Sequence, residues 1–281
     1  DVQRFTEKMG DGRTPVENNS LMVAFWARPR CAQYTGRTLL MNGESHDYLF
    51  ETFSQNPETV LLGSGASFFV PSITWLANAM SGLNLSTVVQ KLLDNPGHNV
   101  HNKNFLRYAN SHCVSFRERA FLDLSALGQS VAVGSCYGVH ASYFLRLQES
   151  IHVDAIAQQY PNVVRASDGQ NFSHWTLEMR RHGFDSLSTY RFSLCMENKV
   201  APGYVTEKLL IAYLTGSIPI YYGTREVFEI FNPKRMIFYD VENPQSALDR
   251  IKRLESDPEL YLKFKSQPIL RDGAETVRRF F

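Results

Sequence analysis

The segment from Tyr190 to Gly223 constrains the fold more than any other part of this chain. Tyr190 to Met196 is a run of strand-forming residues, and 205–215 carries Leu209, Leu210, Tyr213 and Leu214 on one side of a helix. A second apolar run follows at 217–222. Gly216 stands where that helix has to stop, because a left-handed residue after the last turn satisfies orphaned carbonyls and glycine adopts it without a Cβ penalty. Strand, helix and strand over so short a span predict a parallel pair joined by a right-handed crossover. The same pattern opens upstream. The run 130–134 is broken by Ser135-Cys136-Tyr137-Gly138, and 140–149 has helical spacing through Tyr143, Phe144 and Leu147.

The first half reads less clearly. Short apolar runs at 21–26, 38–41 and 59–62 end in glycine- or asparagine-containing loops and predict strands. Pro71 followed by Ile73, Leu76 and Met80 predicts a helix with proline in its first turn. The stretch 81–110 is punctuated by Asn and Gly, reads as neither element, and suits loops over a cleft. Near the end, Asn243-Pro244 opens a helix carrying Leu248, Ile251 and Leu254, and Asp257-Pro258 opens another with Tyr261 and Phe264 on its apolar side. The expectation is an α/β chain of two domains, 1–128 and 129–281.

Composition narrows the function classes. The 281 residues carry 29 basic and 28 acidic side chains, so charge makes no case for nucleic acid or a membrane surface. No apolar stretch approaches the roughly 18 residues a membrane helix needs. The opening Asp1, in place of methionine, fits a leader or anchor removed upstream. Cys31, Cys113, Cys136 and Cys195 lie far apart, which argues against structural zinc and suits disulfides or buried thiols equally. Asn-x-Ser sequons at Asn18, Asn84 and Asn171 lean only slightly toward a secretory compartment.

Open parallel sheets bind ligands outside the carboxyl ends of their strands, which directs attention to the loops 135–139 and 197–204. Glu197 and Asn198 follow a strand, while Glu207 and Lys208 fall in the first turn of the next helix, where N–H groups favour an anion. A lysine there suits a diphosphate, and a neighbouring carboxylate and amide suit ribose hydroxyls. On the residues alone, Glu207 serves equally as a helix-dipole partner, Lys208 as a solvated side chain and Asn198 as a turn residue.

A resemblance decides between these readings. Phe192-Ser193-Leu194-Cys195-Met196-Glu197-Asn198, then Gly203-Tyr204-Val205-Thr206-Glu207-Lys208, then Gly216-Ser217-Ile218-Pro219-Ile220-Tyr221-Tyr222-Gly223 resembles the signature of the alpha-1,3/4-fucosyltransferases. Phe231-Asn232-Pro233 and Met236-Ile237-Phe238 continue it, so that 187–240 is covered strongly. The resemblance implies two Rossmann-like domains facing each other across a cleft (GT-B type), with GDP-fucose on the C-terminal domain and acceptor on the N-terminal one. It implies an inverting transfer of L-fucose to a glycan hydroxyl, the 3-OH of GlcNAc or glucose, with no cofactor and a divalent metal at most stimulatory. It places Asn198, Tyr204, Glu207, Lys208 and Glu197 at the donor, Glu207 on ribose and Lys208 on diphosphate.

The family's base is a glutamate in a Gly-Glu turn after an N-terminal strand, which here is Glu44, with His46 and Asp47 as the nearest rivals. The family's diphosphate arginine follows a Ser-Asn-Cys-type turn. After Ser135-Cys136 this chain has His140 instead, with Arg146 two turns on, so His140 takes the phosphate contact or another arginine reaches in. Fewer than fifty residues precede Glu44, which suggests first strands missing or replaced. A different nucleotide-sugar donor and an inactive carbohydrate-binding relative are the alternatives. The compartment follows from the source: Golgi lumen in a eukaryote, cytoplasm in a bacterium.

Overall fold

The computed structural model describes residues 22–25, 37–42, 59–63, 85–95, 102–110, 112–134, 136–138, 158–165 and 189–280. The chain divides into two compact units, Asp1–Ser72 with Ala201–Tyr204, and Ile73–Val200 with Val205–Phe281. The first contains β1 (Met22–Phe25), β2 (Thr38–Asn42) and β3 (Thr59–Gly63), one sheet in the order β1-β2-β3 with both pairs parallel. The three apolar runs thus form strands as read. The helix expected after Pro71 lies outside the described residues.

The second unit is built on six parallel strands. They are β4 (Asn104–Asn110), β5 (Ser130–Gly134), β6 (Val163–Arg165), β7 (Tyr190–Met196), β8 (Ile218–Tyr222) and β9 (Ile237–Phe238), in the order β6-β5-β4-β7-β8-β9. That is the doubly wound order, in which the chain builds outward from β4 on one side and then from β7 on the other. The reversal lies between β4 and β7, where such sheets open a ligand crevice at the carboxyl edge. Pro219 lies one residue before β9 begins to pair at Ile220, so its missing N–H costs that ladder nothing.

The helices are α1 (Leu85–Asp94), α2 (Ser115–Ser125), α3 (Glu207–Leu214), α4 (Val227–Ile230), α5 (Gln245–Ser256), α6 (Pro258–Lys265) and α7 (Ala274–Phe280). α3 buries Leu209 through Tyr213 on all sides rather than along one stripe, as a helix covered on both faces must. Gly216 ends it at φ 73°, with the Gly216 N–H donating to the Tyr213 carbonyl at 3.0 Å and the Ser217 N–H to that of Ala212 at 2.9 Å. This is the Schellman pattern the glycine predicts. The proline-opened helices are present too. Asp257 caps α6 by accepting from the Leu260 N–H at 2.9 Å, and Ile251, Leu254, Tyr261 and Phe264 pack into the core.

The domain boundary expected near residue 128 is not where the chain divides. β4 and α2 precede it yet belong to the six-stranded sheet, with β4 paired to both β5 and β7. β4 escapes a periodicity reading because asparagines close it at both ends and Arg107 interrupts its apolar run. The arginine is tolerated because its Nη2 donates to Ser193 Oγ on β7 at 2.8 Å, while Phe105 packs edge-on against Phe192 with centroids 5.6 Å apart. Of the cysteines, Cys113 and Cys136 form a disulfide and Cys195 is a buried free thiol; Cys31 lies outside the described residues.

Candidate active site at the carboxyl edge of the six-stranded sheet

Two strands end at the switch point, β4 at Asn110 and β7 at Met196, and one side chain holds both. Arg117, in the first turn of α2 and 0% exposed, donates through Nη1 to Asn110 Oδ1 at 2.9 Å and to the Met196 carbonyl at 3.2 Å. Its Nη2 donates to the His112 carbonyl. The neighbouring Glu118, also buried, accepts from the Tyr108 hydroxyl at 2.7 Å and from the Gly138 N–H at 2.7 Å. The Cys113–Cys136 disulfide ties the same two loops covalently. The loops after β4 and β5 are therefore held to the sheet by an ion-bearing helix start and a cross-link.

The loop after β7 is built around Glu197. Its backbone N–H donates to the Tyr222 carbonyl at 2.8 Å, which extends the β7–β8 ladder by one bond. Its carboxylate, 0% exposed, accepts from the Thr206 N–H at 2.7 Å through Oε1 and from Thr206 Oγ1 at 2.8 Å through Oε2. Thr206 holds the N-cap position of α3 with extended backbone, yet its hydroxyl serves Glu197 rather than the helix. Lys208 Nζ donates to Thr206 Oγ1 at 2.9 Å and reaches Glu197 Oε2 at 3.4 Å and Glu207 Oε1 at 3.9 Å. Glycine is required at 223, since a Cβ there would come 2.3 Å from Tyr221 Oη and 2.9 Å from Glu197 Cγ.

Burial raises the Glu197 pKa, against the lowering pull of Lys208 and the Thr206 N–H, and the Glu207 charge adds to the rise. Burial pushes the Cys195 thiol up to about 12, so it stays protonated and donates to the Lys208 carbonyl at 3.3 Å. An ammonium only 16% exposed is thus held in a fixed place at a helix start, over N–H groups that themselves favour an anion.

The residues singled out from sequence are distributed unevenly. Glu197, Glu207 and Lys208 come together as described, and Asn198 follows Glu197 half-buried. Tyr204 is buried and its N–H donates to the Ala201 carbonyl at 3.1 Å, within the segment that groups with the first unit. Glu44, His46, Asp47, His140, Arg146 and the helix expected over 140–149 lie outside the described residues; β2 ends two residues before Glu44. Arg117 and Thr206, which join the candidate site in the structure, are not singled out by the sequence. The signal for Thr206 was its place before Glu207-Lys208, where an N-cap belongs. Arg117 needed β4 to be recognised as a strand first.

Residues 131–266 match the family model described as glycosyltransferase family 10 (fucosyltransferase), C-terminal. An alpha-(1,3)-fucosyltransferase of Helicobacter pylori is 46% identical over 77 residues, 27% of this chain and 16% of that one. Alpha-(1,3)-fucosyltransferase B of Drosophila melanogaster is 31% identical over 87 residues, 30% of this chain and 20% of that one. An alpha-(1,4)-fucosyltransferase of Arabidopsis thaliana is 28% identical over 158 residues, 56% of this chain and 35% of that one. The chain therefore spans about a third or less of the length of these curated relatives. A crystal structure of an alpha1,3-fucosyltransferase with GDP superposes with a TM-score of 0.56 at 19% identity, covering 92% of this chain and 72% of that one. The fold is of the GT-B type that those structures share.

Proposed function

We propose that the chain transfers L-fucose from GDP-fucose to a glycan hydroxyl with inversion, a reading that proceeds from the match of residues 131–266 to the glycosyltransferase family 10 (fucosyltransferase) model. The observation that carries this reading is the Glu197–Thr206–Lys208 cluster at the end of β7, beside the switch point and inside the matched segment. A solved relative described with GDP-fucose supports the choice of donor.

In this reading the diphosphate lies against Lys208 and the first N–H groups of α3, with Asn198 and Glu207 toward the ribose and Tyr204 lining the donor. Glu197 positions: with both oxygens engaged, it fixes Thr206 and through it the lysine. Arg117 supplies a second cation at the switch point, in line with the alternative to His140 in which another arginine reaches the diphosphate. Glu44 on the first unit takes the proton of the acceptor hydroxyl, the 3-OH of GlcNAc or glucose. The acceptor oxygen bonds to C1 of fucose as the C1–O bond breaks, and the departing electron pair stays on GDP, whose charge the two cations stabilise. With cations in place, a divalent metal is at most stimulatory.

Calorimetric titration with GDP and UDP, followed by a fucose-transfer assay on a GlcNAc-terminated acceptor, tests the reading. GDP binding in preference to UDP, together with turnover, is expected. Preference for UDP would move the chain to another donor class, and GDP binding without turnover on any acceptor would make it an inactive relative.

A further inference from the structure

The amino-terminal edge of the six-stranded sheet, opposite the edge that carries Lys208, has a polar cluster that the transferase reading leaves unused. Arg235, just before β9, is 0% exposed, and its Nε, Nη1 and Nη2 have no hydrogen-bond partner. Tyr213, in the last turn of α3, is equally buried with an unpartnered hydroxyl, and the Arg235 guanidinium lies 5.5 Å from its ring centroid. A second cation stands nearby. Lys265, the last residue of α6, is 0% exposed, donates to Asn102 Oδ1, and lies 5.8 Å from the Tyr261 ring centroid. Among the described residues no ion pair reaches Arg235.

A buried cation is among the costliest things a fold can contain unless it is paired. A lysine can escape by losing its proton, and burial, then the Arg235 charge, pull the Lys265 pKa down to about 8. Arginine lacks that escape. Its pKa, drawn down by burial, still stands at about 10, so the guanidinium remains charged at neutral pH. The Tyr213 face offsets part of the cost through its quadrupole. The carbonyl end of α3 offers only partial charge, and its last carbonyls already accept from Thr215, Gly216 and Ser217. The five N–H donors of the Arg235 guanidinium are thus unspent, with Tyr213, Tyr261 and Lys265 as its charged or polarisable neighbours.

We propose that this edge binds a small inorganic anion, of which chloride is the form that fits. A water molecule would accept from some of these donors but return no charge. A monoatomic anion accepts from Arg235 and the Tyr213 hydroxyl together without directional demand, and is small enough for a site whose cation has no exposure to solvent. The anion is a structural ligand, independent of the donor site and of the reaction.

Thermal melting in sodium chloride and in sodium gluconate at equal ionic strength reads the binding, with bromide-soaked crystals locating it by anomalous scattering. The melting temperature should rise by a constant increment for each tenfold increase in chloride above its dissociation constant, and not in gluconate. Arg235→Met should melt identically in both salts, and bromide should lie in contact with the wild-type Arg235 guanidinium. If Arg235→Met fails to fold, the bromide position in the wild-type protein decides alone. Equal melting in both salts with no bromide at Arg235 would overturn the proposal in favour of water. A response to sulfate or phosphate without one to chloride would overturn it as well.

Discussion

Replacing Lys208 with alanine isolates the cation on which donor binding is proposed to depend. The ammonium is not a mobile surface charge: Thr206 Oγ1 holds it at 2.9 Å and Glu197 Oε2 at 3.4 Å, with 16% of the side chain exposed. Its ordering cost is met on folding, so a diphosphate gains a pre-oriented charge-assisted contact, and losing it costs about 1.5–3 kcal/mol. That corresponds to GDP affinity weaker by about 10- to 150-fold. A second effect runs in parallel, because the variant leaves the buried Glu197 without its cation and so destabilises the fold. The two are separable. Calorimetry with GDP is run below the melting midpoint of each protein, and Lys208→Arg, which keeps the charge, should recover most of the lost affinity. GDP binding unchanged in a folded Lys208→Ala protein would refute the placement of the diphosphate at this helix start.

Glu44→Gln keeps shape but cannot take a proton, so kcat should fall by about 10²–10⁴-fold with GDP affinity unchanged, and near-normal turnover in the transfer assay would pass the role to His46 or Asp47. The Glu197 carboxyl has its folded pKa raised by burial, so the folded state holds its proton more tightly than the unfolded chain. Stability should therefore decline as pH climbs from the ordinary carboxyl range through the folded pKa; melting curves of Glu197→Gln should lack that slope, and an identical slope would discount the burial argument. Removing the Cys113–Cys136 bridge by double alanine substitution frees a loop with a sequence separation of 23. By loop-closure entropy this should cost about 3 kcal/mol in urea denaturation, and no loss would mean the loops are held by Arg117 and Glu118 alone. Turnover should survive excess chelator if the cations serve the diphosphate; loss reversed by adding metal back would contradict that assignment.

What the sequence determined by itself was whatever depends on near neighbours along the chain. The β7–α3–β8 unit is legible because apolar spacing and Gly216 act within a few residues, as do the prolines that open α5 and α6, and tertiary packing agrees with them. The placing of Glu207 and Lys208 in a first helical turn belongs to the same class. What only the tertiary structure decided were features whose partners are distant in sequence. β4 looks too polar for a central strand until Ser193, 86 residues away, accepts from Arg107. Arg117 is an ordinary helix arginine until Met196, 79 residues on, brings its carbonyl to it. Glu197 reads as a ligand contact until burial and Thr206 claim both its oxygens. For Arg107 and Arg117 a buried charge is tolerable because a long-range partner meets it, and for Glu197 because the chain turns back on it within nine residues; one-dimensional spacing records neither.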